Sequence, residues 1–286
     1  MELRQLVILT FQVSILLIVF SFGLQATSRD LLYLIRRPGL LGRSLLAMFV
    51  VMPLVAVSLA LMFNFQRTVE IDVVALAISA VPPLLPSRGS KAGGHTSYAL
   101  GLMVTVAVLS TVIVPASVEL IGLLVGRSLA MAPSVVARVV LVMIVLPVMT
   151  GMVVRAVLPA VADRIEKPVV RVAHVLLAVA VLALLAGSAT AIWAEADVSS
   201  ILAIAIFVLG GLTVGHVMGG PEPDHSVVLA LSTACRHPGI AVAIVAANFP
   251  DVRPGPTILL YVIVSAILCI PYIAWNRRQL VATVPA

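Results

Sequence analysis

Leu-Ser-Thr-Ala-Cys-Arg-His-Pro-Gly-Ile-Ala-Val-Ala-Ile-Val-Ala-Ala-Asn-Phe-Pro, residues 231–250, is the stretch that decides the fold. An apolar run long enough to cross a bilayer is interrupted midway by Arg236, His237, Pro238 and Gly239. Proline offers no backbone donor, clashes with the preceding turn and pushes His237 out of helical geometry, while Gly239 tolerates the dihedrals that restart a helix. Backbone groups freed in this way are costly in hydrocarbon, so the break persists only where it is buried in protein or lines a wet cavity. Arginine at the bilayer centre costs about 2.5–3.5 kcal/mol by insertion scales, so a function or a good partner must offset it. The stretch therefore predicts a polar site inside a helical membrane protein.

The surrounding chain agrees. Of 286 residues, 62% are hydrophobic and only 10% charged, and the mean hydropathy is +1.20. These values exclude a soluble domain with one core and indicate a polytopic membrane protein whose partner is the lipid bilayer. The net charge of +6 sits mostly in short loops between apolar runs, which reads as an orientation signal and not as a nucleic-acid surface. Cys235 and Cys269 both lie inside apolar segments and read as buried thiols. The first apolar run, followed by Arg29, Arg36 and Arg37, is too long for a cleavable leader and reads as a retained helix.

Nine segments are long enough to span about 30 Å at 1.5 Å per residue. They lie near 5–26, 42–63, 71–93, 97–122, 133–157, 168–189, 198–218, 226–249 and 257–276. The expected fold class is all-α, since the short alternating strands of a membrane barrel are absent from the sequence. With the N-terminus outside, twelve loop Arg and Lys residues fall on the inner side, among them Arg29, Arg37, Arg43, Arg88, Lys91 and Arg155, against Arg4, Arg67, Arg127 and Arg253 outside. That split predicts a multi-pass protein of the cell membrane with its C-terminus in the cytoplasm. Arg138 lies close to a helix end and can snorkel, whereas Arg236 is too deep.

Segments one to four and six to nine begin at matching offsets, so the chain divides into a first repeat (1–125), a linking helix (126–160) and a second repeat (161–286). Five crossings precede the second set, which makes the repeats inverted. The third segment is interrupted in both copies: near 82–93, within Val-Pro-Pro-Leu-Leu-Pro-Ser-Arg-Gly-Ser-Lys-Ala-Gly-Gly (81–94), and near 235–239. Paired interrupted segments in inverted halves point to the binding site of a secondary transporter.

Several motifs resemble those of the bile acid:sodium symporters and their bacterial relatives. They are Phe22-Gly23-Leu24 with the basic loop through Arg37-Pro38-Gly39, Val51-Met52-Pro53, Leu109-Ser110-Thr111 before Pro115, and the run from Ser232 to Phe249. The resemblance implies a panel domain and a core domain, two unwound helices crossing at the centre, and uptake of organic anions coupled to two sodium ions. It assigns segments one, two, six and seven to the panel and three, four, eight and nine to the core. Nine helices suit members lacking the first of ten.

Carried over residue by residue, the sodium ligands are largely missing. The resemblance places the shared acidic ligand on Ser232, a glutamine ligand on Arg236 and another on Met48; two hydroxyl ligands fall on Met103 and Ala107. A Ser-Asn pair falls on Gly89 and Ser90, with Ser97 and Tyr98 as the alternative. Sodium beside a guanidinium is disfavoured by about 4 kcal/mol even at an effective dielectric of 20. The expectation is that Arg236 takes the role of a missing coupling ion and balances an anionic substrate.

Expected substrate-binding residues are Arg236, His237, Ser232, Thr233, Ser90 and Ser87, with His237, Ser232 and Ser90 as ion-coupling candidates. Each has a structural alternative. Arg236 can be satisfied by carbonyls of the broken helices, because the acids Glu70, Asp72 and Glu119 are expected near the outer face. Hydroxyls in membrane helices bond back to the helix. Arg88 and Lys91 are expected at the inner mouth. His95, His174, His216 and His225 show no metal-ligand spacing, so no metal or other cofactor is expected. Gly122 and Gly126, and Gly211, Gly215 and Gly219, have the spacing of close helix packing. No enzymatic motif is present. The reading is a secondary transporter of organic anions, with an anion channel or a proton-coupled carrier using His237 as alternatives.

Overall fold

The computed structural model describes residues 3–63, 65–124 and 129–283, and among these it is all-helical with no strand. In chain order the helices are α1 (Leu3–Gln25), α2 (Ser28–Leu31), α3 (Pro38–Leu46), α4 (Met52–Met62), α5 (Arg67–Ile78), α6 (Leu85–Lys91) and α7 (Thr96–Leu124). The second half holds α8 (Pro133–Val140), α9 (Leu146–Val157), α10 (Pro159–Glu195), α11 (Val198–Met218), α12 (Pro223–Ala234), α13 (Pro238–Asn248) and α14 (Pro254–Thr283). A π-helical turn, Ala47–Val51, joins α3 to α4, and another, Leu141–Val145, joins α8 to α9. Each is followed by a proline, Pro53 and Pro147, whose missing donor disturbs the regular ladder.

Eight of these spans, not nine, are long and apolar enough to cross a membrane among the described residues. The shortfall is the third predicted segment, 71–93, which is two short helices, α5 and α6, separated by non-helical residues 79–84. Pro82 and Pro83 exclude the residues before them from helical geometry, so the break opens ahead of the prolines. Pro86 instead stands in the first turn of α6, where a proline costs nothing. The stretch expected to be interrupted, 82–93, thus contains a helix carrying Ser87, Arg88 and Ser90. In the second copy the non-helical residues are 235–237, as the Arg-His-Pro-Gly pattern predicts.

The helices sort into two groups. Helix α1 packs along α9 and α10, and Arg155 at the end of α9 ties them by donating to the Leu24 carbonyl and pairing with Asp163 and, at 3.5 Å, Glu166. Gly23 and Gly151 let α1 and α9 touch, since a methyl group on Gly23 would lie 2.2 Å from the Val148 carbonyl oxygen. Helices α4, α5, α11, α12, α13 and α14 form the other group around the two breaks. The panel is therefore built from predicted segments one, five and six; segments two and seven pack with the core, contrary to the assignment the resemblance implied. The two groups differ most in burial at their extremes: only 11% of the most apolar window of α10 is buried, against 78% of the window spanning α12 and α13. Val172, Val175, Val179 and Leu182 form an exposed apolar stripe on α10, a surface suited to lipid.

Small residues bring α11 against α12. A methyl group on Gly215 would lie 2.4 Å from Ala230 Cα, and one on Gly219 would lie 2.3 Å from Ser226 Cα. The glycine stripe is packing, as its spacing predicts. Gly126, Arg127 and the expected boundary between the first repeat and the linking helix lie outside the described residues.

Candidate functional site

The two breaks meet. The His237 N–H donates to the Ala80 carbonyl at 2.9 Å and to Ser79 Oγ at 3.1 Å, so the second break is bonded directly to the first. Cys235, Arg236 and His237 are all buried, as are residues 79–83.

Arg236 is the largest fully buried side chain of the chain's described core, 1% exposed. Its guanidinium lies on backbone carbonyls. Nε donates to Leu76 O at 3.1 Å, and Nη2 donates to Ala77 O and, at 3.3 Å, to Met48 O. Leu76 and Ala77 belong to the last turn of α5, whose carbonyls carry the negative end of the helix dipole. Met48 lies in the π-helical turn before α4. The Phe49 ring stands 5.8 Å from the guanidinium carbon. Nη1 finds no acceptor among the described residues.

The break in the second helix is patched by Tyr261 of α14. Its hydroxyl accepts from the Arg236 N–H and donates to the Ala234 carbonyl at 2.8 Å, satisfying one backbone group on either side of Cys235. His237 caps α13: Nδ1 accepts from the Ile240 N–H at 3.3 Å, and Nε2 has no partner among the described residues. Sequence reasoning missed Tyr261, and a buried tyrosine needing a partner was the only signal for it.

The remaining predicted residues are not brought together. Ser232 Oγ donates to Val228 O at 2.6 Å, one turn back on its own helix. Thr233 Oγ1 bonds the carbonyls of Leu229 and Gly211, bridging α12 to α11. Ser87 is half-buried and Ser90 exposed on α6. Arg88 turns into the bundle, with Nη1 2.9 Å from Cys235 Sγ, which in turn is 3.7 Å from Cys269 Sγ. Both cysteines are free thiols. His174 and His216 are engaged by Val170 O and the Tyr272 hydroxyl.

A cavity of about 390 Å³ runs along α5 from Arg67 to Ile78, the residue before the first break. Its walls are mainly apolar, with Val74, Ile121, Ile244 and Phe249 among them, and its polar groups are Arg67, Glu70 and Asn248. Arg67 also pairs with Asp251 at 3.0 Å. None of the six predicted substrate residues lines this cavity.

An all-helical membrane protein whose two interrupted helices are bonded to each other inside the bundle has the build of a membrane transporter. The chain belongs to the sodium bile acid symporter family, which matches residues 12–195. The matched range contains the first break and stops short of the second. No curated protein matches the chain.

Proposed function

We propose that this protein is an alternating-access carrier of organic anions with an apolar body, in which Arg236 stands permanently where a coupling sodium ion would otherwise sit. One observation carries the reading: the guanidinium is held by the end carbonyls of a broken helix, Leu76 and Ala77, and by the Met48 carbonyl of a distorted turn. Unwound carbonyls and half-helix C-termini are the groups with which secondary transporters coordinate their cations. A tethered cation on those groups repels a mobile one by about 4 kcal/mol at 4 Å and an effective dielectric of 20. The resemblance points the same way, since it puts former ion ligands on Arg236, Met48 and Ser232, and Ser232 spends its hydroxyl on its own helix. The apolar cavity beside α5 suits the body of an amphipathic anion. In this reading the repeats are inverted, the N-terminus is outside the cell membrane, and Arg236 Nη1 is left to face the substrate's charge.

Thermal stability of the purified protein tests this, with a panel of organic anions offered in sodium and in potassium. An anion that stabilises the wild type equally in both salts, and fails to stabilise Arg236→Gln, supports the proposal. Stabilisation that requires sodium and survives in Arg236→Gln overturns it.

A proton-coupled carrier using His237 is the second reading, favoured by the buried and unpartnered Nε2. It predicts that uptake into proteoliposomes follows an imposed pH gradient and that His237→Gln uncouples it. Uptake indifferent to the gradient removes this reading. Saturable uptake with counterflow, as opposed to currents above carrier rates, separates either carrier from an anion channel.

A further inference from the structure

Three side chains that are far apart in sequence converge where α6 turns into α7 and α12 begins. His95 stands in that turn, and Asp224 and His225 in the first turn of α12; a ligand-capable atom of each lies within 4.8 Å of those of the other two. The backbone enforces the meeting, because the His95 N–H donates to the Asp224 carbonyl at 3.2 Å. Gly94 permits the approach: a methyl group there would lie 2.7 Å from Val228 Cγ2.

Each imidazole has one nitrogen engaged away from the cluster. His225 Nε2 is 2.8 Å from the Tyr33 hydroxyl, and His95 Nδ1 accepts from the Tyr98 N–H at 3.3 Å. His225 Nδ1 is left, while His95, whose acceptor nitrogen is Nδ1, must give up its long bond from the Tyr98 N–H or change tautomer to ligate. His225 is only 6% exposed, and its Nδ1 has no hydrogen bond among the described residues. The nearest carboxylate to that nitrogen is Glu222, whose Oε2 is 3.4 Å away. Asp224 spends Oδ1 on the His225 N–H at 2.9 Å and keeps Oδ2. A ring held through one nitrogen by a hydroxyl, with its other nitrogen free of hydrogen bonds and facing a carboxylate, has the orientation of a metal-ligating histidine.

We propose that His95, Asp224 and His225, with Glu222 as a fourth ligand, bind a divalent transition-metal ion of the zinc class. Two imidazoles and carboxylate oxygens select such ions over magnesium or calcium, which take all-oxygen sites. Metal–ligand bonds of about 2.0–2.2 Å require ligand atoms roughly 3.4 Å apart, so the site must contract on binding. Glu222 is exposed and His95 half-buried, and both have room to move. Two cations oppose the ion: Arg37 packs its guanidinium 3.7 Å from the Tyr33 ring centre, and Arg43 lies against Gly220. The two carboxylates offset them. An occupied site would tie the turn after the first broken segment to the start of the second. The inference is independent of what the carrier transports.

The test is metal binding by the full-length chain, purified metal-free in detergent. Zn2+ is titrated calorimetrically, and Co2+ serves as a probe through its visible absorption. One equivalent of Zn2+ per chain is expected, with a tetrahedral Co2+ spectrum that Zn2+ displaces. His95→Ala and Asp224→Asn should each weaken binding tenfold or more. Asp224→Asn keeps an oxygen for the His225 N–H, so its metal-free thermal midpoint should match the wild type, while His95→Ala, which loses the bond from the Tyr98 N–H, should fall by no more than the loss of a helix cap. His216→Ala, away from the cluster, should bind as the wild type does. Absence of saturable binding up to about 100 µM Zn2+, or unchanged affinity in both His95→Ala and Asp224→Asn, overturns the proposal.

Discussion

The two breaks solve the same problem in opposite ways. The first, residues 79–84, is built with Pro82 and Pro83, which contribute carbonyls but no N–H groups. Its side of the crossing is rich in acceptors: Ala80 within the break, and Leu76 and Ala77 in the last turn of α5 just before it, present carbonyl oxygens to the partner break. The second, residues 235–237, is rich in donors, with the Arg236 side chain and the His237 N–H aimed at those same oxygens. Neither break could be buried alone, since each leaves polar groups that cost about 1–3 kcal/mol apiece when unpaired. Together they cancel except at Arg236 Nη1 and His237 Nε2, which have no partner among the described residues. The difference teaches that the crossing is one unit of matched polarity, and that the charge on it belongs to the donor side.

The most damaging way to break that match is to remove the cation. Arg236→Ala should destabilise the protein by about 3–5 kcal/mol, because the end carbonyls of α5 and the Met48 carbonyl lose a buried charged donor. Chemical denaturation in detergent measures it. The same variant sharpens the comparison: if the carbonyls form a cation site, sodium should raise the thermal midpoint of Arg236→Ala above its value in potassium and leave the wild type unmoved.

Tyr261→Phe comes next. It keeps the ring in place and strips the hydroxyl from the Arg236 N–H and the Ala234 carbonyl, leaving two buried groups unpaired. The expected loss is about 2 kcal/mol or more, and all of it falls on the donor break. Gly215→Ala should cost somewhat less, about 1–2 kcal/mol, by wedging α11 away from the Ala230 backbone that supports the same break. Gly187→Ala, where a methyl group meets nothing within 4 Å, should show no loss, because alanine is the better helix former; a loss equal to that of Gly215→Ala would mean that the close approach does not set the effect.

Much of this was legible in the sequence. Proline directly after Arg236-His237 fixes where the second break lies, and His237 caps the next helix as a residue before a first-turn proline can. The first break was misplaced because three prolines within five residues, Pro82, Pro83 and Pro86, act differently according to where they fall relative to a helix start. The partners of Arg236 were foreseeable only as a kind, helix-end carbonyls, because nothing local in the sequence says which helix end will arrive. The histidine cluster was invisible for the same reason: His95 and Asp224 meet through a backbone bond between distant turns. Panel and core went astray at segments two and seven, whose uniform apolarity hides which face meets protein and which meets lipid.

The smallest prediction probes the seam itself. The His237 N–H is shared between Ala80 O and Ser79 Oγ, and the serine hydroxyl also donates to Leu76 O at 2.8 Å, the same oxygen that accepts from Arg236 Nε. Ser79→Ala removes one acceptor from a donor that keeps another, and one donor from an oxygen that keeps two. The residual Ala80 bond should hold the loss to about 0.5–1 kcal/mol. A loss comparable to that of Arg236→Ala would mean that the serine, not the proline-built backbone, holds the acceptor break in register, and that the matched carbonyls are a consequence of Ser79 more than of Pro82 and Pro83.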